Sequence, residues 1–447
     1  MNMPAPTATT CPPQAPPLSQ RWKVLIAGFV ANAALIAATA GLPTTALSLS
    51  SDYGFGHAEL AWVFGSMGLG LALSELPWGM LTDRWGDRPV LLCGLLVTGL
   101  ALLGLAIGGQ PGDGALIRLC AGLTLAGLAG GSVNAASGRA VMAWFGPGER
   151  GLAMSIRQTA VPLGGLLGAC VLPSLARQQG FSLVFGLLAG LCALAGYLTW
   201  RWLHEAPGQS QAEPERRTLR PAWSEAPLWR LALGIGVLCM PQFVILSFGA
   251  VFIHEQLGGS LLMVSASLAT LQLGAAVARV LSGRWSDRNG NRHLYLWRCV
   301  LAAAAAYLLL AGATALLTRQ MLPPALVLAL LIGCGILISA WHGVAYTELA
   351  SQAGVARAGT VLGMANTLVF AGMFLTPTLV AAGLRHGDWP LVWGVAALLT
   401  LAAWPLLRAA ERPYCWRTCS NGATCTCACI CSQPPPRRMP RTGQASR

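Results

Sequence analysis

Twelve stretches of this chain are each long and apolar enough to cross a lipid bilayer, and no other feature limits its fold so strongly. A helix needs roughly 20 residues to span about 30 Å of hydrocarbon. Runs of that length lie near 23–48, 59–81, 89–109, 114–142, 151–176 and 181–203, and again near 229–254, 260–283, 293–316, 323–347, 358–383 and 388–409. Only 10% of the 447 residues are charged, whereas a soluble domain carries about 25%. So few charges cannot cover a soluble surface of this size. The sequence therefore predicts an all-α membrane protein with twelve transmembrane helices.

The formal charge of +13 would suit a nucleic-acid partner if the basic residues were clustered and interleaved with aromatics. Instead they fall in short gaps between apolar runs, and no nucleic-acid partner is expected. Placing both termini in the cytoplasm puts Arg21, Lys23, Arg84, Arg88, Arg139, Arg150, Arg201, Arg216, Arg217, Arg220, Arg230, Arg284, Arg288, Arg292 and Arg357 on that side. The opposite side keeps little beyond Arg118, Arg177, Arg319 and Arg385. This asymmetry follows the positive-inside rule. It predicts a multi-pass protein of a bacterial inner membrane.

Five segments follow. Residues 1–20 read as a disordered cytoplasmic tail without the charged start and short apolar core of a cleavable signal. Residues 21–203 and 229–410 each hold six spans, joined by a polar, proline-containing linker at 204–228. Residues 411–447 read as a disordered tail rich in Cys, Pro and Arg. Its Cys425, Cys427, Cys429 and Cys431 match no zinc spacing, and no metal or cofactor is expected. The cysteines within the spans read as buried thiols.

One charged stretch occurs twice. Gly79-Met80-Leu81-Thr82-Asp83-Arg84-Trp85-Gly86-Asp87-Arg88 follows the second span, and Gly283-Arg284-Trp285-Ser286-Asp287-Arg288-Asn289-Gly290-Asn291-Arg292 follows the eighth. Their first glycines are 283 − 79 = 204 positions apart, close to half the chain. Such a repeat predicts two pseudo-symmetric halves. Both copies read as tight turns.

With twelve spans and a central linker, this duplicated stretch resembles the loop signature of the major facilitator superfamily of secondary transporters, over about residues 20–410. Gly79, Asp83, Arg84, Gly86 and Arg88 match that signature, while Asp87 stands where the family often has arginine. The second copy keeps Gly283, Asp287, Arg288, Gly290 and Arg292. Arg118-Leu119-Cys120-Ala121-Gly122 matches a fourth-span signature in part, with Ala121 in place of glutamine. Trp144-Phe145-Gly146-Pro147-Gly148-Glu149-Arg150-Gly151 resembles a turn found in anion:cation symporter-like and cyanate-permease-like branches. Trp341-His342-Gly343 resembles a tenth-span stretch of similar permeases. Val161-Pro162-Leu163-Gly164-Gly165 falls short of the antiporter signature. The resemblance implies a fold of two six-helix bundles. It also implies that the charged stretches act as conformational latches, Asp83 on the start of span eleven near Gly359 and Asp287 on the start of span five near Gly151.

Charged residues inside spans need a partner, a wet cavity or a role, since each costs about 2.5–3.5 kcal/mol at the bilayer centre. Arg157 in span five either anchors an anionic substrate or snorkels to the surface. Glu75 and Arg279 each lie four residues before a signature glycine, at equivalent heights in the two halves. Glu75 is a candidate proton-coupling carboxylate and Arg279 a candidate anion site; a structural ion pair is the alternative for both. His342 is a candidate proton relay or substrate contact. Arg118, at the outer end of span four, either partners a coupling acid or snorkels. Asn32, Asn134, Gln158, Gln242 and Asn366 are candidate substrate contacts; individually each also suits a helix–helix hydrogen bond. Gln158 and Asn366 pair as repeat equivalents only at an offset of 208, one helical turn from the 204 of the charged stretches.

No phosphate-binding loop, nucleophile elbow or metal-protease helix occurs. Enzyme activity and catalytic residues are not expected. The expected function is secondary transport of a small organic or inorganic anion, by alternating access with proton coupling, by a monomer whose partners are substrate, protons and membrane lipid. A proton-driven exporter of drugs or metabolites is the nearest alternative, and a non-transporting receptor the next.

Overall fold

The computed structural model describes residues 18–204, 206, 221–386 and 388–408. Most of the expected amino-terminal tail, residues 207–220 of the linker and the cysteine-rich tail lie outside the described residues. The first helix already begins at Leu18.

Among the described residues, twelve helical segments are long and apolar enough to cross a membrane, at Ser19–Tyr53, Ala58–Trp85, Asp87–Gly108, Ala115–Trp144, Arg150–Gln179, Phe181–Trp202, Ala226–Leu257, Leu262–Asn289, Arg292–Thr318, Pro324–Ala353, Val355–Arg385 and Trp389–Leu407. They form two pseudo-symmetric six-helix bundles. The third span shows how such a segment divides its apolar surface. Val90, Leu91, Leu95 and Leu102 are buried, while Leu96, Leu100, Leu103 and Ile107 are exposed and apolar, as a lipid-facing stripe must be. Spans two and four meet where Gly127 lies against Met67 and Gly70. Spans one and five meet where Gly164 faces Ala33 and Gly168 faces Gly41. These are the small-residue contacts that let helix backbones approach without a hydrophobic drive.

The charged stretches are not the turns that were expected. The second span stays helical through Asp83 and Arg84 to Trp85, and a new helix starts at Asp87. Gly86 alone breaks the chain, at φ +92°, a conformation that favours glycine. In the second copy the helix runs to Asn289, Gly290 turns at φ +66°, and the next helix starts at Arg292. Polar residues end an apolar run in the sequence, but they need not end a helix when tertiary partners hold them. Gly79 and Gly283 accordingly serve close helix packing. A Cβ on Gly79 would lie 2.4 Å from the Gly359 carbonyl oxygen, and one on Gly283 would lie 2.4 Å from that of Gly151.

Three spans are interrupted. Span one passes through a 3-10 turn at Leu42–Thr45, which contains Pro43. Span five breaks at Thr159, between helices Arg150–Gln158 and Ala160–Gln179. Span ten breaks between helices Pro324–Ser339 and His342–Ala353. Pro162 has no N–H to offer the carbonyl four residues earlier, which is that of Gln158. Pro241, also expected to bend its helix, sits inside the unbroken helix Ala226–Leu257, and its carbonyl accepts from Tyr307 Oη at 2.6 Å.

Candidate functional site

Two carboxylates cap helices of the opposite half. Asp83 Oδ1 accepts from the Gly359 amide at 2.9 Å, and its Oδ2 accepts from the Thr360 amide at 2.7 Å and the Thr360 hydroxyl at 2.6 Å. Asp287 accepts from the Gly151 amide at 2.9 Å and the Leu152 amide at 2.7 Å. The first amides of a helix lack intrahelical partners and carry the positive end of its dipole, so a carboxylate suits them. Behind Asp83 stands Arg139 from span four, whose side chain is 0% exposed; its Nε lies 3.2 Å from Asp83 and its Nη1 donates to Asp87 at 2.7 Å. Arg292 lies 3.5 Å from Asp287 and 3.8 Å from Glu348. Arg84 and Arg288 are exposed, and Arg88 donates to the Trp200 carbonyl at 2.9 Å.

One to two turns deeper, a seam of buried polar groups joins the halves. Glu75 accepts at both oxygens, from Asn134 Nδ2 of its own half at 2.6 Å and from Asn366 Nδ2 of the other half at 3.2 Å. Tyr346 Oη donates to Asn366 Oδ1 at 2.6 Å. Arg157 is buried and bonded to span four: its Nε donates to Ser137 Oγ at 2.8 Å and its Nη2 to the Asn134 carbonyl at 2.9 Å and Asn134 Oδ1 at 3.4 Å, while among the described residues its Nη1 meets only the Met154 sulfur, at 4.0 Å. Asn134 therefore touches the carboxylate with its nitrogen and the guanidinium with its oxygens.

Arg279 holds two backbone carbonyls at helix breaks. Its Nη1 donates to Gln158 O at 2.5 Å, and its Nε donates to Ser339 O at 3.2 Å. The Gln158 oxygen is the one that Pro162 cannot satisfy, and Ser339 ends the first helix of span ten. Gln242 Nε2 reaches Ser339 Oγ at 3.2 Å. His342 stacks on Trp341 with ring centroids 3.9 Å apart, and its Nε2 lies 3.9 Å from Cys239 Sγ. Asn32 is completely buried in span one, and among the described residues neither its amide nitrogen nor its oxygen has a partner.

The structure thus joins Glu75, Asn134, Arg157 and Asn366 in one hydrogen-bonded set, and Arg279, the Gln158 backbone and Gln242 in another through Ser339. It does not bring in Arg118. That guanidinium is exposed at the far end of span four and donates to the Asp113 carbonyl at 2.6 Å and the Gln110 carbonyl at 2.9 Å. In this structure, among the described residues, Arg118 meets loop backbone and no buried acid. The sequence reading missed Ser137, Ser339, Tyr346 and Thr360, and counted Arg139 only as a cytoplasmic charge. For Arg139 a signal existed: Asp87 departs from the signature toward acid, and a new acid near the bilayer surface calls for a cation.

Residues 24–377 match the sequence profile of the Major Facilitator Superfamily. An uncharacterized MFS-type transporter of Mycobacterium tuberculosis is 29% identical over 388 residues, covering 87% of this chain and 84% of that protein. The probable nitrate/nitrite transporter NarK2 of the same organism is 26% identical over 356 residues, covering 79% and 87%. Among solved structures, the proton:xylose symporter XylE superposes with a TM-score of 0.68 at 16% identity, over 87% of this chain and 95% of the other; at that identity it speaks for the fold. With twelve spans, paired carboxylate caps and a profile match over most of its length, the chain belongs to the Major Facilitator Superfamily.

Proposed function

We propose that this transporter carries a small anion together with protons, by alternating access. The observation that carries the reading is Asn134, which links a buried carboxylate to a buried guanidinium. Glu75 Oε1 receives the Asn134 amide, and the same side chain's oxygen receives Arg157. An anion drawn to Arg157 competes with the Asn134 oxygens for its N–H donors. A proton taken by Glu75 removes one acceptor and weakens its bond to Asn134 or to Asn366 across the halves. The two events act on one amide, so each alters the cost of the other. The similarity to a probable nitrate/nitrite transporter supports the anion class.

With both caps engaged, this state is read as closed on the arginine-rich side, taken as cytoplasmic. Arg279 is read as a gate tie whose donors become free for the anion when the halves part there. Asn32, Gln242 and His342 complete the substrate contacts on spans one, seven and ten. The test is uptake of radiolabelled nitrate and of a small dicarboxylate into proteoliposomes under an inward proton gradient. Saturable, gradient-driven uptake of either, lost in the Arg157→Ala/Arg279→Ala double variant, is expected. Uptake indifferent to both arginines overturns the anion site; ligand binding without counterflow would favour a receptor.

A further inference from the structure

An apolar groove opens between spans three and four at the end of the molecule remote from the caps. Its volume is about 550 Å³, within the range of roughly 300–1,000 Å³ common for small-molecule sites. The third span contributes Val97, Leu100, Gly104 and Gly108 along one stripe, and the fourth contributes Gly122 and Leu125. Gly104 and Gly108 are exposed, and nothing lies within 4 Å of where a Cβ would stand on either. Missing side chains hollow out the groove, which faces the lipid and not the bundle interior.

Arg118 stands at its mouth. From Arg139 to Arg118 the fourth span rises through 21 residues, or about 32 Å at 1.5 Å per residue, which matches a hydrocarbon core of about 30 Å. Arg139 is at the cap level, so Arg118 lies at the opposite interface, where lipid headgroups are. The groove from Val97 to Gly108 extends about 16 Å by the same rise, one leaflet's depth. The guanidinium is already fixed by the carbonyls of Asp113 and Gln110 in the connecting loop. Among the described residues its Nε and one hydrogen on each terminal nitrogen have no partner. Tyr53 Oη is nearby but donates to the Gly109 carbonyl at 2.7 Å. Asp52, Glu59 and Asp113 are the acids of this end of the amino-terminal half among the described residues, and Arg118 engages only the backbone of Asp113.

We propose that this groove binds one membrane phospholipid with an anionic headgroup, its phosphate on Arg118 and one acyl chain lying along Gly104 and Gly108. The guanidinium offers several donors in a plane to phosphate oxygens, the geometry in which arginine binds phosphate best. The chain fills a cleft that would otherwise leave apolar surface poorly packed. This site is separate from the transport seam.

The experiment measures lipid binding to the full-length protein in detergent by native mass spectrometry, with dioleoylphosphatidylglycerol and dioleoylphosphatidylcholine as probes. The phosphatidylglycerol is expected to bind roughly tenfold tighter, about 1.4 kcal/mol. Arg118→Gln should erase that preference, weakening phosphatidylglycerol more than phosphatidylcholine, whose phosphate is already offset by its quaternary ammonium. Gly104→Leu/Gly108→Leu, which the open space tolerates, should weaken both lipids. Equal binding of the two lipids by the unaltered protein overturns the proposal, as does a preference that survives Arg118→Gln. Full displacement by glycerol 3-phosphate, with no effect of the leucines, would also overturn it by assigning the site to a free phosphate.

Discussion

The span-two crossing and the span-eight crossing share one plan and differ in chemistry. Each places a carboxylate on the first amides of a helix in the other half, and each packs a bare glycine against that helix four residues earlier. Each then places a charged residue one turn deeper: Glu75 meets Asn366, and Arg279 meets the carbonyl of Gln158. In the first crossing the deep group is an acid held by side-chain amides, and the cap is backed by a fully buried arginine. In the second it is a base held by backbone, and the backing arginine is 14% exposed. The repeat has kept the geometry that joins the halves and has let the chemistry diverge, with the titratable group in one crossing and the fixed cation in the other.

The sharpest way to break this comparison is at the backing arginines. Arg139→Ala removes the fully buried guanidinium that Asp83 and Asp87 share and should cost about 3–5 kcal/mol, read as a fall in the thermal unfolding midpoint in detergent. Arg292→Ala, whose side chain is 14% exposed and also donates to Ser351 and the Pro147 carbonyl, should cost less, about 1–3 kcal/mol. Similar losses would show the two backings to be equivalent.

Next in size is the deep pair. Glu75→Gln should abolish most gradient-driven uptake while sparing counterflow, since an amide can still bond its neighbours but cannot take up or release a proton. Arg279→Gln should slow both modes and keep their dependence on the gradient. If Glu75→Gln transport still follows the proton gradient, the acid is structural and the contrast between the crossings loses its functional meaning.

The caps themselves come third. Asp83→Ala, which removes three hydrogen bonds, should slow turnover roughly tenfold with substrate binding intact, whereas Asp287→Ala, which removes two, should slow it only several-fold, at about 0.5 kcal/mol per bond lost. Cysteine accessibility at the start of spans five and eleven would report which cap opens. The smallest effect expected is at Asn366→Ala, about 0.6 kcal/mol, in line with interhelical hydrogen bonds in membranes.

The spans and the repeat were legible because each rests on a local pattern: apolar length for one, a recurring group of glycines and charges for the other. The site was legible only in part, and for identifiable reasons. Glu75, Arg157 and Arg279 stood out because charge inside an apolar run is conspicuous. Tyr346, Ser137 and Ser339 did not, because a hydroxyl in a helix usually bonds its own backbone, and Ser339 Oγ indeed donates to Gly335 O at 2.9 Å. The break in span ten has no proline to announce it. It coincides with Gly343 lying so close to Ser155 that a Cβ there would be 1.9 Å from its hydroxyl oxygen, a contact between distant parts of the chain that no local reading contains. Gln158 meets Arg279 through its backbone and Asn366 meets Glu75 through its side-chain amide, so like contacts do not carry their equivalence in the repeat.

That backbone answer bears on how the protein tolerates mutation. Because Arg279 is held by the carbonyl at position 158 and not by the glutamine side chain, replacing Gln158 with another residue leaves the bond available. Sequence drift at that position would carry no trace of the tie between the halves. The vulnerability moves four residues along, to Pro162, where restoring an N–H would supply a competing donor for the same oxygen. A residue that touches no substrate and bears no charge thereby becomes a position where the opening equilibrium can be tuned without altering any group at the site.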